Sequence, residues 1–311
     1  MLQLLLGGSG SGKTTLLYQR IRARAEKGEK SILLVPEQFT SSTEGRIYRE
    51  LGDALSGMVE SFSFTSLAEK ILSTEGGAAV QTLSDAGRAV LVRRALEELQ
   101  DNVHYYHRHR RSAAFCQMAA QTIDELKSAG LSGQQLAQLA GACGAESGKL
   151  SELALIFQGY ETLLARSGMD PSDRLELAGA RLEEALARHS LPEFLRDRAV
   201  FIDEFDTFNA PKKRLLGALL ASLPTVTVAL CDDGAPLLPG DLSLFSGAKQ
   251  VAAQLRQLAR KNGAEVAVPQ LLRKDLRHRN APGLAAVAEL LETGSCTADA
   301  PAGEVRLFAA P

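Results

Sequence analysis

Residues 2–15 read LQLLLGGSGSGKTT, and this stretch decides the fold. An apolar run of strand length, residues 2–6, leads into a glycine-rich loop that fits the pattern G-x-x-x-x-G-K-[ST] between Gly7 and Thr14. A segment with helical periodicity follows at once. Because strand, loop and helix are the context in which such a loop binds phosphate, the sequence predicts a P-loop rather than a plain glycine-rich turn.

The residue types of this loop predict how a nucleoside triphosphate would be held. The glycines let successive backbone N–H groups point at phosphate oxygens, and the helix that follows adds the positive end of its dipole. Lys13 would reach the β and γ phosphates of ATP, and the Thr14 hydroxyl would ligate a bridging Mg²⁺ ion. The predicted nucleotide-binding residues are Gly7, Gly8, Ser9, Gly10, Ser11, Gly12, Lys13, Thr14 and Thr15.

A second pattern predicts the other half of a Mg²⁺–ATP site. Residues 199–204 read AVFIDE, which is the Walker B pattern of apolar residues followed by two carboxylates. Asp203 would hold the Mg²⁺ ion, directly or through water, and Glu204 would be the catalytic residue that polarises the attacking water. An exposed acidic turn after a strand is the common alternative. The P-loop earlier in the chain favours the metal site.

The composition is that of an ordinary globular protein. Of the 311 residues 45% are hydrophobic, and 35 basic against 37 acidic residues give a formal net charge of −2. DNA binding must therefore rest on local patches of charge. Four scattered cysteines, without a C-x-x-C pair, argue against a zinc site or a disulfide framework. With no apolar run near the ~20 residues of a membrane span, and a P-loop so close to the first residue, we expect a cytoplasmic protein without a signal peptide.

The chain divides by periodicity into an α/β part and a helical part. Strand-like apolar runs alternate with helical segments up to residue 64 and again from residue 197. Because strands joined by helices form parallel sheets, we predict an α/β fold of the P-loop NTPase (RecA-like) type over 1–64 and 197–295. Besides residues 2–6, the predicted strands are 31–35, 58–64, 198–203, 225–230 and 265–268, and one continuous helix is predicted over 41–55.

Residues 65–196 carry helical spacing without a convincing strand, so we predict a large all-helical insertion there. Within it, residues 131–135, LSGQQ, resemble the signature peptide of ABC transporter ATPases. That peptide normally lies much closer to the Walker B strand. We instead predict that Ser132 caps a helix and that Gln135 completes a capping box.

The segment His104 to Arg111, HYYHRHRR, is the most basic stretch of the predicted insertion. Its three histidines could ligate a metal ion, but the arginines beside them would repel a cation. A phosphate-contacting patch with tyrosines available for stacking is the favoured interpretation, and a solvated surface charge is the alternative.

Taken in order, these patterns resemble the first core domain (1A) of a superfamily 1 helicase with its inserted subdomain (1B). More closely, they resemble the N-terminal part of the AddB subunit of the bacterial AddAB helicase–nuclease. The residues that carry the resemblance are Gly7 to Thr14, 34–40 (LVPEQFT), 61–64 (SFSF), 123–127 (IDELK), Tyr160, Asp170, Leu175, Val200 to Phe208, and Leu215 with Leu216.

This resemblance implies a role in processing double-strand DNA ends for repair by homologous recombination. It implies a heterodimer with an AddA-type subunit that supplies the main translocation, and binding to double-stranded ends and single-stranded DNA. It also implies a second core domain that supplies an arginine to complete the ATP site. We place the start of this domain at 296–311. A nuclease with Mg²⁺ and an iron–sulfur cluster would lie beyond residue 311, and none of the four cysteines matches the cluster ligands.

The resemblance also predicts DNA contacts, and two departures bear on ATP turnover. The predicted DNA-contacting residues are Gln38, Thr40, Ser63, Phe64, Arg108, Arg110 and Arg111, with weaker candidates at 212–214 and 273–279. Many AddB proteins resemble Ile-Asp-Gly-Phe at the Walker B position, whereas this chain keeps a carboxylate at Glu204. Residues 231–236, CDDGAP, lack the glutamine of the usual Gly-Asp-x-x-Gln motif. Two functions therefore stay open. One is an active ATPase, and the other is a non-motor scaffold that binds DNA and is stabilised by bound nucleotide.

Overall fold

The structure is a computed structural model that describes residues 1–77, 79 and 81–295. The chain separates into two compact units. The first, which we call the α/β unit, comprises Met1–Phe64, Glu193–Phe208 and the described residues from Leu219 onward. The second, the helical unit, comprises Thr65–Pro192 and Asn209–Ala218.

The predicted domain boundaries differ from this division at two places. Residues 193–196 belong to the α/β unit, and residues 209–218 belong to the helical unit, where Arg214 pairs with Glu176 and Glu183 at 2.9 Å. Whether the two units are the predicted core domain and insertion stays a prediction. The predicted start of a second core domain, 296–311, lies outside the described residues.

Six parallel strands form the sheet of the α/β unit, in the order β3-β2-β4-β5-β1-β6. They are β1 Leu2–Gly7, β2 Ser31–Leu34, β3 Val59–Phe62, β4 Ala199–Ile202, β5 Thr225–Cys231 and β6 Gln270–Leu272. The inner strands are almost continuous buried apolar runs, as expected where helices cover both faces of a parallel sheet. The predicted α/β class with a parallel sheet is confirmed.

The helices alternate with these strands in the α/β unit, and they form the regular structure of the helical unit over its described residues. In chain order they are α1 Lys13–Ala25, α2 Thr40–Leu51, α3 Asp53–Ser56, α4 Phe64–Glu75, α5 Asp85–Glu98, α6 Ala113–Ser128, α7 Gly133–Ala140, α8 Ser147–Ser167, α9 Pro171–Ala187, α10 Ala210–Ser222, α11 Ser246–Lys261 and α12 Pro282–Thr293. In the described part of the chain, none of them combines the length and apolar character needed to cross a bilayer.

Two predicted elements were wrong in detail. The single helix over 41–55 is interrupted at Gly52, whose φ of 76° ends α2 and starts the short α3. The strand over 265–268 is only a bridge between Val266 and Leu2, and the edge strand is β6 instead. Pro269 lies between the two segments and has no N–H to donate to a sheet, so pairing beside β1 resumes only at Gln270.

The helical unit has a core of its own. Side chains of α5, α6 and α8 meet around Val92, Ile123, Ile156 and Phe157, each at most 1% exposed. At the start of α7, Ser132 and Gln135 form the predicted capping box, which confirms that interpretation of the LSGQQ sequence.

Buried ionised groups of the helical unit bind one another. The Lys127 ammonium lies 2.8 Å from carboxylate oxygens of both Asp170 and Asp173. The Tyr160 hydroxyl donates to the other oxygen of Asp170 at 2.6 Å. This cluster ties α6 and α8 to the start of α9.

Candidate nucleotide site

The loop between β1 and α1 has the backbone that its glycines predict. Gly10 and Gly12 have φ angles of 77° and 89°, in the left-handed region that favours glycine. A Cβ atom on Gly10 would lie 2.7 Å from the Cβ of Arg277, and one on Gly12 would lie 2.8 Å from Leu276. Both the conformation and the close approach of a second segment therefore require glycine.

Lys13 lies at the first position of α1 and folds back along the loop. Its ammonium donates to the carbonyl oxygens of Gly7 at 2.7 Å and Gly8 at 2.8 Å. Burial lowers the pKa of Lys13. Two neutral carbonyl oxygens compensate the positive charge of the ammonium only in part. An anion that enters the loop would therefore form a strong charge-assisted hydrogen bond with Lys13.

Asp203 follows the last residue of β4 and faces the start of α1. Its backbone N–H donates to Leu34 at 3.1 Å, which fixes the residue beside the end of β2. Its carboxylate accepts a hydrogen bond from the Glu204 N–H at 3.0 Å. The residue is 6% exposed, and burial raises the pKa of its carboxyl. The two predicted metal-binding residues, Thr14 and Asp203, line the same pocket.

Glu204 has an exposed side chain on a left-handed backbone with φ of 64°. Partial desolvation of its carboxyl by the surrounding pocket and the neighbouring Asp203 both raise the pKa of Glu204, although the residue is exposed on one side. Non-glycine residues seldom adopt this conformation, which costs them on the order of 1–2 kcal/mol. The chain accepts that cost at the predicted catalytic position.

These groups surround a pocket of about 450 Å³. Its lining comprises Ser9, Gly10, Gly12, Lys13, Thr14, Thr15, Arg46, Asp203, Glu204, Phe205, Asp206, Ala229, Cys231, Leu276 and Arg277. Two predicted residues, Gly8 and Ser11, line a neighbouring cavity of about 420 Å³ with Asp232 and Glu292. Gly7 takes part through its carbonyl oxygen, which accepts from Lys13.

Two arginines of this pocket were missed by the sequence reasoning. Arg46 extends from α2, with its guanidinium 5.0 Å from the centre of the Tyr18 ring. Arg277 donates to the Ser9 hydroxyl at 3.1 Å, beside Leu276, whose N–H donates to Gly10 at 2.9 Å. The sequence groups Arg277 with weak DNA candidates, because its run, RKDLRHR, is basic and carries no motif.

Comparison with known proteins places the chain in a family. The sequence model described as "ADDB, N-terminal" matches residues 4–288. The chain belongs to the AddB N-terminal family. Two similar relatives, from Desulforudis audaxviator and Moorella thermoacetica, are each named as a subunit of an ATP-dependent helicase/deoxyribonuclease. The first is 34% identical over 91% of this chain and 25% of the relative, and the second is 33% identical over the same shares.

A third AddB relative, from Clostridium perfringens, bears the same name and is 29% identical over 89% of this chain and 24% of its own length. The chain therefore spans about a quarter of the length of the curated relatives it matches. The family relationship concerns the N-terminal part of those proteins.

The DNA-contacting residues predicted from the AddB resemblance have different exposures. Ser63 and Phe64 are 4% and 2% exposed, and the Phe64 ring packs edge-on against Phe205 and Phe208 at 5.2 and 6.0 Å. These two side chains lie in the interior of the α/β unit and offer no surface to a DNA strand. Gln38 is exposed in a short 3-10 turn, Glu37–Phe39, and Thr40 begins α2.

The predicted contacts of the helical unit lie on its surface. Arg108 and Arg111 are exposed, and Arg110 is partly buried. Among the weaker candidates, Arg214 is engaged with two glutamates, which leaves its guanidinium little capacity for phosphate.

Proposed function

We propose that this chain is the nucleotide-binding N-terminal part of an AddB-type subunit, acting in DNA-end processing and repair by homologous recombination. In this proposal the α/β unit is a RecA-like P-loop NTPase domain of the helicase 1A type, and the helical unit corresponds to subdomain 1B. The observation that carries it is the pocket in which Lys13 and Thr14 of the P-loop face Asp203. This pocket joins the P-loop to the carboxyl end of β4, where a Mg²⁺ ion would bind between Thr14 and Asp203.

The residues present fit Mg²⁺–ATP. The first N–H groups of α1 have no partner within the helix, and they follow two left-handed glycines that turn the loop inward. Lys13 supplies a mobile cation for phosphate, and Thr14 with Asp203 supplies the oxygen ligands that Mg²⁺ prefers. When bound, ATP would supply the phosphoanhydride bond that is cleaved, and Mg²⁺ would supply the positive charge that balances the Asp203 carboxylate. The residues proposed to hold it are Gly7, Gly8, Ser9, Gly10, Ser11, Gly12, Lys13, Thr14 and Thr15.

Three further side chains of the pocket have proposed roles in hydrolysis. Glu204 would orient a water molecule and hold its proton at a carboxylate oxygen. Arg277, beside Ser9, would contact a terminal phosphate oxygen, and Arg46 would help keep Asp203 and Glu204 ionised. Arg277 would then provide within this unit a cation that the resemblance assigns to a later domain.

The binding of ATP is tested by the Lys13→Ala variant. Affinity for a fluorescent ATP analogue with Mg²⁺ should fall about 100-fold, because a charge-assisted hydrogen bond contributes ~1.5–3 kcal/mol and 1.4 kcal/mol is a factor of ten. Lys27→Ala, an exposed lysine beyond the end of α1, is the matched control and should bind as the wild type does. Equal affinities of the Lys13→Ala and wild-type proteins would refute the proposed site.

A non-motor scaffold is the second candidate function, and the loop after β5 favours it. Asp232 accepts from the Gly234 N–H at 2.7 Å and Asp233 from the Ala235 N–H at 2.8 Å, and Asp233 also pairs with Lys249 at 3.2 Å, so both carboxylates already have partners within the protein. This loop has no glutamine to sense bound nucleotide. In the full-length subunit with its AddA partner inactivated, Glu204→Gln should abolish ATP hydrolysis if the site is a working ATPase. Hydrolysis at the wild-type rate in this variant would refute the catalytic role of Glu204, and nucleotide binding without detectable hydrolysis by the wild type would favour the scaffold.

The remaining proposals concern the whole subunit. We propose an AddA-type partner in a heterodimer, double-stranded DNA ends and single-stranded DNA as substrates, and a cytoplasmic location. Gln38 and Thr40 are proposed to contact a single strand. An iron–sulfur cluster and a nuclease are proposed only for the part of such a protein that follows residue 311.

A further inference from the structure

Among the described residues of the helical unit, most arginines form ion pairs, and those that do not are Arg166, which is isolated, and three arginines of one basic segment. Within the described residues of this unit, arginines that form ion pairs with carboxylates are Arg88, Arg93, Arg94, Arg174, Arg181, Arg188 and Arg214. Arg108, Arg110 and Arg111 make no ion pair with any described residue. Three uncompensated guanidinium groups therefore lie within four consecutive residues.

The backbone that leads into this segment is held by one buried carboxylate. Glu152 of α8 is 6% exposed, and its side chain accepts hydrogen bonds from three successive N–H groups. These come from His104 at 2.7 Å, from Tyr105 at 2.9 Å and from Tyr106 at 3.3 Å. Because a buried carboxylate is costly without such donors, the bonds fix both the carboxylate and the chain around it.

Aromatic contacts hold the same segment at both ends. The Tyr105 ring lies against Gly148 of α8, where an added Cβ would be 2.8 Å from the ring. The rings of Tyr106 and His109 lie 5.4 and 5.5 Å from that of Phe115 in α6. The intervening residues form a 3-10 turn, His107–His109, so the arginines project from a constrained backbone rather than from a free loop.

We infer that segment 104–111 is a preorganised contact surface for the phosphodiester backbone of single-stranded DNA, and that Glu152 is the positioning residue that holds it. Guanidinium groups match phosphate oxygens in geometry and charge. Tyr105, 57% exposed, offers a ring for base stacking. A surface ordered before binding loses less conformational entropy when DNA arrives. This inference rests on the proposed action on DNA, for which it names a contact surface, and it does not depend on the nucleotide site.

The decisive experiment measures the affinity of the full 311-residue chain for a labelled single-stranded oligonucleotide as salt is varied. The triple variant Arg108→Ala, Arg110→Ala, Arg111→Ala should lower the slope of log affinity against log salt by about 2, since each single-strand phosphate contact contributes ~0.7. The ratio of the wild-type affinity to the variant affinity should therefore fall about 20-fold as the salt concentration rises from 50 to 200 mM.

The matched control removes the same charge from exposed arginines elsewhere in the helical unit. Arg93→Ala, Arg94→Ala, Arg166→Ala should leave the slope unchanged, because these side chains lie outside the segment. Equal slopes for the two triple variants, or no change in either, would overturn the DNA surface. Nucleotide affinity, measured on the same proteins, should be unaffected, so failure of this inference is distinct from failure of the ATP site.

The role of Glu152 is tested with Glu152→Gln, which keeps the size of the side chain and all three arginines. Amide hydrogen exchange at residues 104–106 should accelerate, and the salt slope should fall part of the way toward that of the arginine variant. Faster exchange with an unchanged slope would show that Glu152 orders a segment that does not bind DNA. If this variant does not fold, the two arginine variants still decide the surface, because their substitutions lie on exposed or partly exposed positions.

Discussion

The two units use buried charge in opposite ways. In the helical unit, the Lys127 ammonium is surrounded by two carboxylates, and a tyrosine completes the cluster. In the α/β unit, the Lys13 ammonium donates to two carbonyl oxygens, forms no ion pair with a described residue and faces a pocket of about 450 Å³. One arrangement is complete within the protein, whereas the other has room for an anion. The difference separates charge that stabilises a fold from charge that is available to a ligand.

The largest expected difference in stability is between two lysine-to-methionine substitutions, one in each unit. Lys127→Met should lower the free energy of unfolding of the helical unit by about 3 kcal/mol, because it leaves the buried Asp170 and the partly buried Asp173 without their cation. Lys13→Met should change the stability of the α/β unit by less than about 1 kcal/mol, because it removes a lysine whose pKa burial already lowers.

Hydrogen exchange followed peptide by peptide in urea measures the two units separately, which matters because a chain of two units need not unfold in one step. The peptides of α8 and α9 report the first variant, and those of α1 and β1 report the second. Similar losses from both substitutions would break the comparison. Stabilisation by added Mg²⁺–ATP should survive Lys127→Met but not Lys13→Met.

A second pair of variants tests how much burial contributes to a tyrosine–aspartate hydrogen bond. Tyr160, 1% exposed, donates to Asp170, and burial together with that bond raises the pKa of Tyr160, so it stays a donor. Tyr160→Phe should cost about 2 kcal/mol, because a buried charged acceptor loses a partner. Tyr48, 54% exposed, lies near Asp53, which raises the pKa of Tyr48, and Tyr48→Phe should leave the free energy of unfolding nearly unchanged. Equal losses in urea unfolding would contradict the argument from burial.

Sequence reasoning succeeded where the deciding signal is local. The apolar runs that became β1, β2, β4 and β5 are continuous because both faces of these strands are buried. The glycine-rich loop and AVFIDE are contiguous patterns, and β1 and β4 place Thr14 and Asp203 around one pocket, although the nucleotide site itself stays a prediction. Short edge elements were misjudged. The three residues of β6 have no distinct periodicity, and Pro269 moved the pairing away from the predicted 265–268.

Arg46 and Arg277 were missed because nothing near them in the chain marks them. Arg277 reaches Ser9 across 268 residues of sequence, and only the position of the segment after β6 brings it there. Glu152 was missed for a similar reason, since its three donors lie on a loop 46 to 48 residues away. Interactions of this kind depend on tertiary structure, which a single sequence does not specify by pattern.

A third prediction concerns the strained backbone beside the nucleotide pocket. With φ of 64°, Glu204 occupies a backbone conformation that glycine adopts more readily than any residue with a side chain. The free energy of unfolding of Glu204→Gly should be about 1 kcal/mol higher than that of Glu204→Ala, because alanine keeps the strain and glycine relieves it. Equal stability of the two variants would show that the backbone at this position is not strained. Neither variant should hydrolyse ATP if Glu204 is the catalytic residue.

The smallest expected effect tests an exception within the helical unit. Glu161 is partly buried, and its carboxylate accepts from the Gly133 N–H at a long 3.4 Å. Burial raises the pKa of Glu161, so the folded chain keeps a proton at a pH where the unfolded chain has lost it. The unfolding free energy of the wild type therefore falls as the pH rises from 4.5 through the raised pKa.

Glu161→Gln should remove that part of the pH dependence while keeping an acceptor for Gly133. At neutral pH the variant should be as stable as the wild type or more stable, by less than about 1 kcal/mol, and the gap should close as the pH falls toward 4. Urea unfolding of both proteins between pH 4 and 7 measures this difference. A variant that is less stable than the wild type at neutral pH would mean that Glu161 has a stabilising partner. In that case the helical unit would compensate this charge as it compensates Lys127, and the contrast with the pocket around Lys13 would be sharper.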